Sequence, residues 1–192
     1  MARLRSAGTT TFLALLMSST AVMADVTPEQ VWDSWQKQYS AYGFTITPGS
    51  VARDGDVLTI SDLVLTNEST TTIGTDKQVS KTVLTVPAIL LEDLGDGTVE
   101  GTVEGEITGQ NDTTDATGKT ETAKIRIDKT DASVVISGTP EEMSYLVDAP
   151  EISASIEAQP STPGGTPAVL GMTLTGLAGT QVMTTTGGQG TK

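Results

Sequence analysis

A chain of 192 residues is long enough for one domain of ordinary size, and its 24 acidic against 11 basic side chains give a net charge of −13, which sets it against nucleic acid and anionic lipid surfaces as partners. It contains no cysteine and no histidine. That excludes disulfides, thiol nucleophiles, thiolate metal sites, the Ser-His-Asp triad and histidine ligation of zinc or haem.

Residues 1–24 read as a secretory signal peptide. Arg3 and Arg5 make a positive start, Phe12 to Met17 an apolar centre, and Ala21-Val22-Met23-Ala24 a small-residue cleavage site, so the mature chain is expected to begin at Asp25. The apolar run is too short for a membrane anchor. No cysteine follows it to carry a lipid. Loss of Arg3 and Arg5 leaves nine bases and a net charge of −15. The expected location is periplasmic or secreted, with no transmembrane segment after cleavage. An exported chain without cysteine suits a bacterial periplasm better than a small disulfide-stapled secreted fold.

The mature chain opens on its most aromatic stretch, Thr27 to Phe44. Thr27-Pro28-Glu29-Gln30 spells a helix start, with Thr27 and Gln30 as a capping box and Pro28 in the first turn. Val31, Trp35, Tyr39 and Tyr42 recur at spacings of four, four and three, with Trp32 beside them, and so share one face. Gly43 ends the helix. This amphipathic helix is expected to dock on a sheet. Trp32, Trp35, Tyr39 and Tyr42 are its candidate binding or docking surface, with a core role as the plainer reading.

From Phe44 the period becomes two. Asp54-Gly55 signals a hairpin. Within Asp56 to Thr66, Leu58 and Ile60 fall on one face and Leu63 and Leu65 on the other; a bulge near Ser61-Asp62 would unite them. Residues 67–76 read as a polar loop. Lys77 to Val86 is a strand that Pro87 interrupts, and Ala88 to Leu94 leads to a Gly95-Asp96-Gly97 turn. Val99 to Thr108 alternates throughout, with glycines at 101 and 105 on its apolar face leaving room for something bulky, the aromatic helix first of all.

Gln110 to Gly118 reads as a loop. In Thr120 to Asp128, Lys124 and Arg126 can pair across strands with the glutamates of 100–106. Ala132, Val134 and Ile136 form another strand. Thr139-Pro140-Glu141-Glu142 repeats the cap of the first helix, so a short second helix is expected before Pro150. Glu151 to Gln159 and Ala168 to Leu177 are the last strands, and a Thr/Gly-rich tail, 178–192, is expected to fray. The fold class is mainly β (α+β): a curved antiparallel sheet of about seven or eight strands, residues 25–177, under two helices.

ADVTPEQVWDSWQ (from Ala24), RDGDVLTISDLVLT (from Arg53) and VPAILLEDLGDGTVEGTVEGEI (from Val86) carry a resemblance over residues 24–108. The chain resembles the alphaproteobacterial exported proteins grouped as domain of unknown function 2125. The resemblance implies export and a β-rich domain, without an activity. Members of that family are usually much longer, which implies a shortened form here, with its last strand as an open edge.

Sites for chemistry are sparse. Asp54-Gly55-Asp56, Asp93 with Asp96, and Asn111-Asp112-Asp115 lack the alternating spacing of a calcium loop and read as turn chemistry. Glu100, Glu104 and Glu106 share a strand face expected of a solvated surface, although two carboxylates could in principle serve a hydrolase. The expectation is therefore a non-catalytic envelope protein without metal or cofactor. Its partner would be a hydrophobic small molecule, such as a lipid, or another envelope protein met through the sheet edge or the aromatic helix.

Overall fold

The capping residues close the helix as their chemistry requires. In the computed structural model α1 spans Pro28–Ala41. The Thr27 N–H donates to Gln30 Oε1 at 3.0 Å and the Gln30 N–H to Thr27 Oγ1 at 3.3 Å. Gly43, at φ +83°, turns the chain out of the helix and donates to the Ser40 carbonyl at 3.0 Å. The structure describes residues 25–74, 76–160 and 165–184. The signal-peptide expectation, at 1–24, lies outside them.

Among the described residues ten strands come after the helix: β1 (Phe44–Thr47), β2 (Ser50–Asp54), β3 (Val57–Ile73), β4 (Asp76–Asp93), β5 (Val99–Glu104), β6 (Ile107–Thr114), β7 (Thr120–Thr130), β8 (Ser133–Thr139), β9 (Glu142–Ala158) and β10 (Ala168–Thr184). They make one antiparallel sheet. The mainly β fold under an N-terminal helix is thus as expected, with ten strands rather than seven or eight. β1 and β2 both pair with β3, β5 and β6 both with β4, and β7 and β8 both with β9. Each of those couples is one long run broken in the middle. Neighbours in space are therefore neighbours in sequence, as in a meander.

The breaks line up. Reading across the sheet by register, Pro48-Gly49 lies level with Asp62, then Pro87, Gly105, Asp131, Pro150 and Gly176. Four of these have left-handed backbones: Asp62 at φ 51°, Gly105 at 73°, Asp131 at 45° and Gly176 at 66°. The physical reason is the two prolines. Pro87 and Pro150 sit inside central strands, where a missing N–H breaks the hydrogen-bond ladder. The residues beside them turn their own backbone out of the ladder, a conformation that glycine and aspartate reach at least cost.

This line also unites the apolar faces. Leu58, Ile60, Leu63 and Leu65 are all buried, as are Val86, Ile89 and Leu91 across from them. The expected bulge in β3 is not the cause. Ser61 faces Ala88 and Leu63 faces Val86, so no residue is inserted; the left-handed Asp62 reverses the alternation instead. An inserted residue does occur next door. Ala88 faces Glu104 while Thr85 faces Thr108, so the β5–β6 run carries one residue more than β4, at Gly105-Glu106 opposite Pro87.

Several expectations need correction. Thr139-Pro140-Glu141-Glu142 starts no helix: Pro140 and Glu141 form the turn between β8 and β9. Thr139 Oγ1 does accept from the Glu142 N–H at 3.1 Å, as a helix cap would. The next residues decide for a strand, because Met143 and Tyr145 are buried at period two and pair against β8. Pro87 does not end its strand. The polar segments 67–73 and 110–114 are strand rather than loop, since hairpin pairing carries them outward from the buried part. Pairing with β9 also carries β10 to Thr184, into the stretch expected to fray. Gly101 makes room for sheet side chains and not for the helix, a Cβ there meeting Val134 at 3.0 Å and Leu91 at 3.3 Å.

The core lies between α1 and the half of the sheet that ends in the β4–β5 and β8–β9 turns. Val26, Val31 and Trp32 close over Ile60, Leu91, Val99, Ile136, Met143 and Tyr145. Two tethers set the helix there: Val26 N–H donates to the Gly97 carbonyl at 3.2 Å, and Arg53 Nη1 meets Glu29 Oε2 at 2.9 Å. No helix among the described residues is long and apolar enough to cross a membrane.

Candidate functional site

The aromatic face of α1 does not close completely on the sheet. Where it crosses the line of breaks a hollow of about 280 Å³ remains. Trp32, Trp35 and Tyr39 form its roof. Phe44 and Ile46 of β1, Leu63 and Leu65 of β3, and Leu84, Val86 and Ile89 of β4 form one wall; Val103, Ile107 and Ile127, from β5, β6 and β7, form the other. Every one of these thirteen side chains is aliphatic or aromatic. Two larger hollows of about 460 Å³ each are lined by Gln110, Asp112, Lys124 and Arg126, and by Glu100, Glu104, Lys129 and Asp131. Those are open surface grooves with charged linings. The smaller apolar hollow is the better candidate for a ligand.

Three of the four aromatic residues singled out in the sequence meet here. Trp32 is buried, Trp35 is half-buried, and Tyr39 stacks edge-on against Phe44 with ring centroids 6.2 Å apart. Tyr42 does not join them: it is the helix C-cap and stands 68% exposed. The sheet-side walls were missed. Alternation marks each of those residues as apolar-facing, but only the register across six strands shows that they converge.

Tyr145 meets the middle of the helix, at Ser34 and Trp35, and Met183 meets its last turn. Gln38 Nε2 approaches Met183 Sδ at 2.9 Å, and the Tyr145 hydroxyl donates to Met143 Sδ at 3.4 Å. Burial pushes the Tyr145 phenol above its usual pKa, while hydrogen bonding with Trp35 and Ser34 draws it partly back. A phenol with a raised folded pKa is neutral in the native state and gives up its proton more readily when unfolded. Its contribution is therefore complete below the unfolded value near 10 and declines above it. The wild-type protein is expected to lose stability above pH 10 more steeply than Tyr145→Phe, as urea midpoints measured from pH 8 to 11 will show.

Asp96 and Asp115 perform the turn chemistry expected of them, whereas Asp112 lies within β6 and bonds across to β7. Asp96 accepts from the Thr98 N–H at 3.1 Å and Oγ1 at 2.6 Å, and the side-chain bond to Thr98 is the main reason its pKa is lowered. Asp115 accepts from Thr117 and from the Lys119 N–H in the same way, with the same consequence. Asp112 is lowered first by the Thr122 hydroxyl and then by Gln110. Glu106 meets Arg126 at 3.4 Å, one of the cross-strand pairs anticipated. Among the described residues no group of three or more acidic side chains could hold a metal ion.

Comparison with family models, with curated proteins and with solved structures finds no match to this chain.

Proposed function

We propose that this is a non-catalytic envelope protein, exported to the periplasm, that holds the apolar chain of a lipid or similar hydrophobic molecule between α1 and the sheet. The carrying observation is the uniformly apolar lining of a hollow that the helix roofs and does not fill. Apolar cavities of this kind stay dry and favour apolar occupants. At about 280 Å³ it lies just below the usual size of ligand sites, roughly 300–1,000 Å³, and so suits one chain. The export signal read in residues 1–24 supports the envelope location, and the acidic surface favours an uncharged or zwitterionic molecule over an anionic one.

The test uses the mature chain and a series of uncharged n-alkanols. Each added methylene is worth ~0.8 kcal/mol on burial, about fourfold in affinity. Calorimetry should show that increment over the shorter alkanols and a plateau once the hollow is full. Native mass spectrometry of protein from a cell envelope should show a bound lipid. Affinity indifferent to chain length, together with protein that emerges empty, would end this reading.

A further inference from the structure

The two edges of the sheet differ. The first edge, β1 and β2, is broken at Pro48-Gly49, ends in the charged Arg53-Asp54 and is tied to α1 through the Arg53–Glu29 pair. Those are the features by which sheet edges discourage further pairing. The last edge, β10, is less protected: its break at Gly176 and its bond to α1, from Gln38 to Met183, both lie beyond Ala168–Thr175. Over Ala168–Thr184 it carries no charged residue and no proline, in a chain of net charge −13. Among the described residues it pairs only with β9. Its large apolar side chains stand in the open, Leu170 at 71% and Met172 at 56% exposure.

Register places three of these on the same face as the apolar hollow. Met172 faces Ala154, which faces Ile127 of the hollow's wall; Leu170 and Leu174 flank Met172 at period two. The order Leu170-Gly171-Met172-Thr173-Leu174 reads alike in both directions at its apolar positions. An antiparallel strand pair has the same property, since it is related by a two-fold axis.

We propose that β10 is a dimerisation strand and that its occupant is β10 of a second copy, paired antiparallel about a two-fold axis at Met172. In that register Met172 faces Met172, and Leu170 of each copy faces Leu174 of the other, so apolar meets apolar on one face. Because the strand is uncharged, two strongly acidic chains meet where neither presents a carboxylate. Because the opposite edge is blocked, β10 of one copy cannot continue onto β2 of another, and the assembly closes at two copies instead of extending into a filament. The proposal does not depend on what the hollow holds.

The cysteine-free chain allows a register-specific test. The mature protein should sediment at twice its monomer mass. Met172→Lys sets two ammonium groups face to face and should weaken the dimer by ~100-fold, with an unchanged far-ultraviolet circular dichroism spectrum, since the site is exposed. Met172→Cys should cross-link to itself on mild oxidation. Leu170→Cys should cross-link with Leu174→Cys in a mixture, and neither should do so alone. A monomer at high concentration, a mass beyond two chains, or self-cross-linking of Leu170→Cys would each overturn the proposal. Protection of β10 amides that requires a different envelope protein would likewise overturn it and assign the edge to that partner.

Discussion

Trp32→Ala is expected to lower stability by ~3–5 kcal/mol, the range for removing a buried aromatic ring. Domains of this size have about 5–15 kcal/mol in all, so the variant should unfold at a far lower urea concentration. Trp32 lies only 7% exposed, within the cluster that joins α1 to Ile60, Leu91 and Val99. Trp35→Ala should cost less, about 1–3 kcal/mol, although it removes the same side chain. Trp35 is half-buried and borders existing empty space, so its loss enlarges a hollow without opening a new one. Urea unfolding of both variants, followed at 222 nm, checks the difference. Equal costs would mean that no hollow separates Trp35 from the sheet. A near-neutral Trp32→Ala would mean that the helix is not anchored where the structure places it.

Val103→Phe is expected to weaken ligand binding at least tenfold while leaving stability within ~1 kcal/mol of wild type. An enlarged side chain in a fully packed core costs ~1–3 kcal/mol through strain. Val103 instead lines the hollow from the β5 side, opposite Ile89. A phenyl ring there occupies the volume that an alkyl chain would take. Alkanol affinity should fall at least tenfold, about 1.4 kcal/mol, as calorimetry will read. A loss of stability above about 2 kcal/mol would show that the space is already filled by protein, and would remove the structural basis of the proposed function.

How much of the fold is legible in the sequence depends on the range of the interactions. The first helix is legible down to its capping atoms, because Thr27, Pro28, Gln30 and Gly43 act within a few residues of one another. The second apparent cap at Thr139 makes the same hydrogen bond, and only the pairing of β9 with β8 shows that a strand comes next. The left-handed Asp62 and Asp131 give no local signal. Their conformation answers Pro87 and Pro150 on neighbouring strands, and those neighbours are known only from the register. Of the candidate site, helical spacing identifies Trp32, Trp35 and Tyr39 but carries the stripe one residue too far, to Tyr42, because it does not say where the helix leaves the sheet. Leu63, Val103 and Ile127 are legible as inward-facing strand residues and not as parts of a common wall.

The line from Gly49 to Gly176 divides the sheet into parts of unequal persistence. On the inner side of it the strands hold most of the buried cluster, and opening any one of them exposes Ile60, Leu91, Ile136 or Met143 to water. On the other side the hairpin tips, such as Glu68–Thr72 and Thr120-Glu121, are exposed, and the apolar contacts thin out beyond Leu65 and Leu84. With ladder bonds interrupted between the two, fraying of the outer hairpins need not propagate across. Two levels of cooperativity are expected, a slow-exchanging unit formed by α1 and the inner half-sheet and an outer unit that opens at lower cost, which amide hydrogen exchange will resolve. The hollow lies on their boundary, so a molecule could enter it through partial opening of the outer unit, without global unfolding.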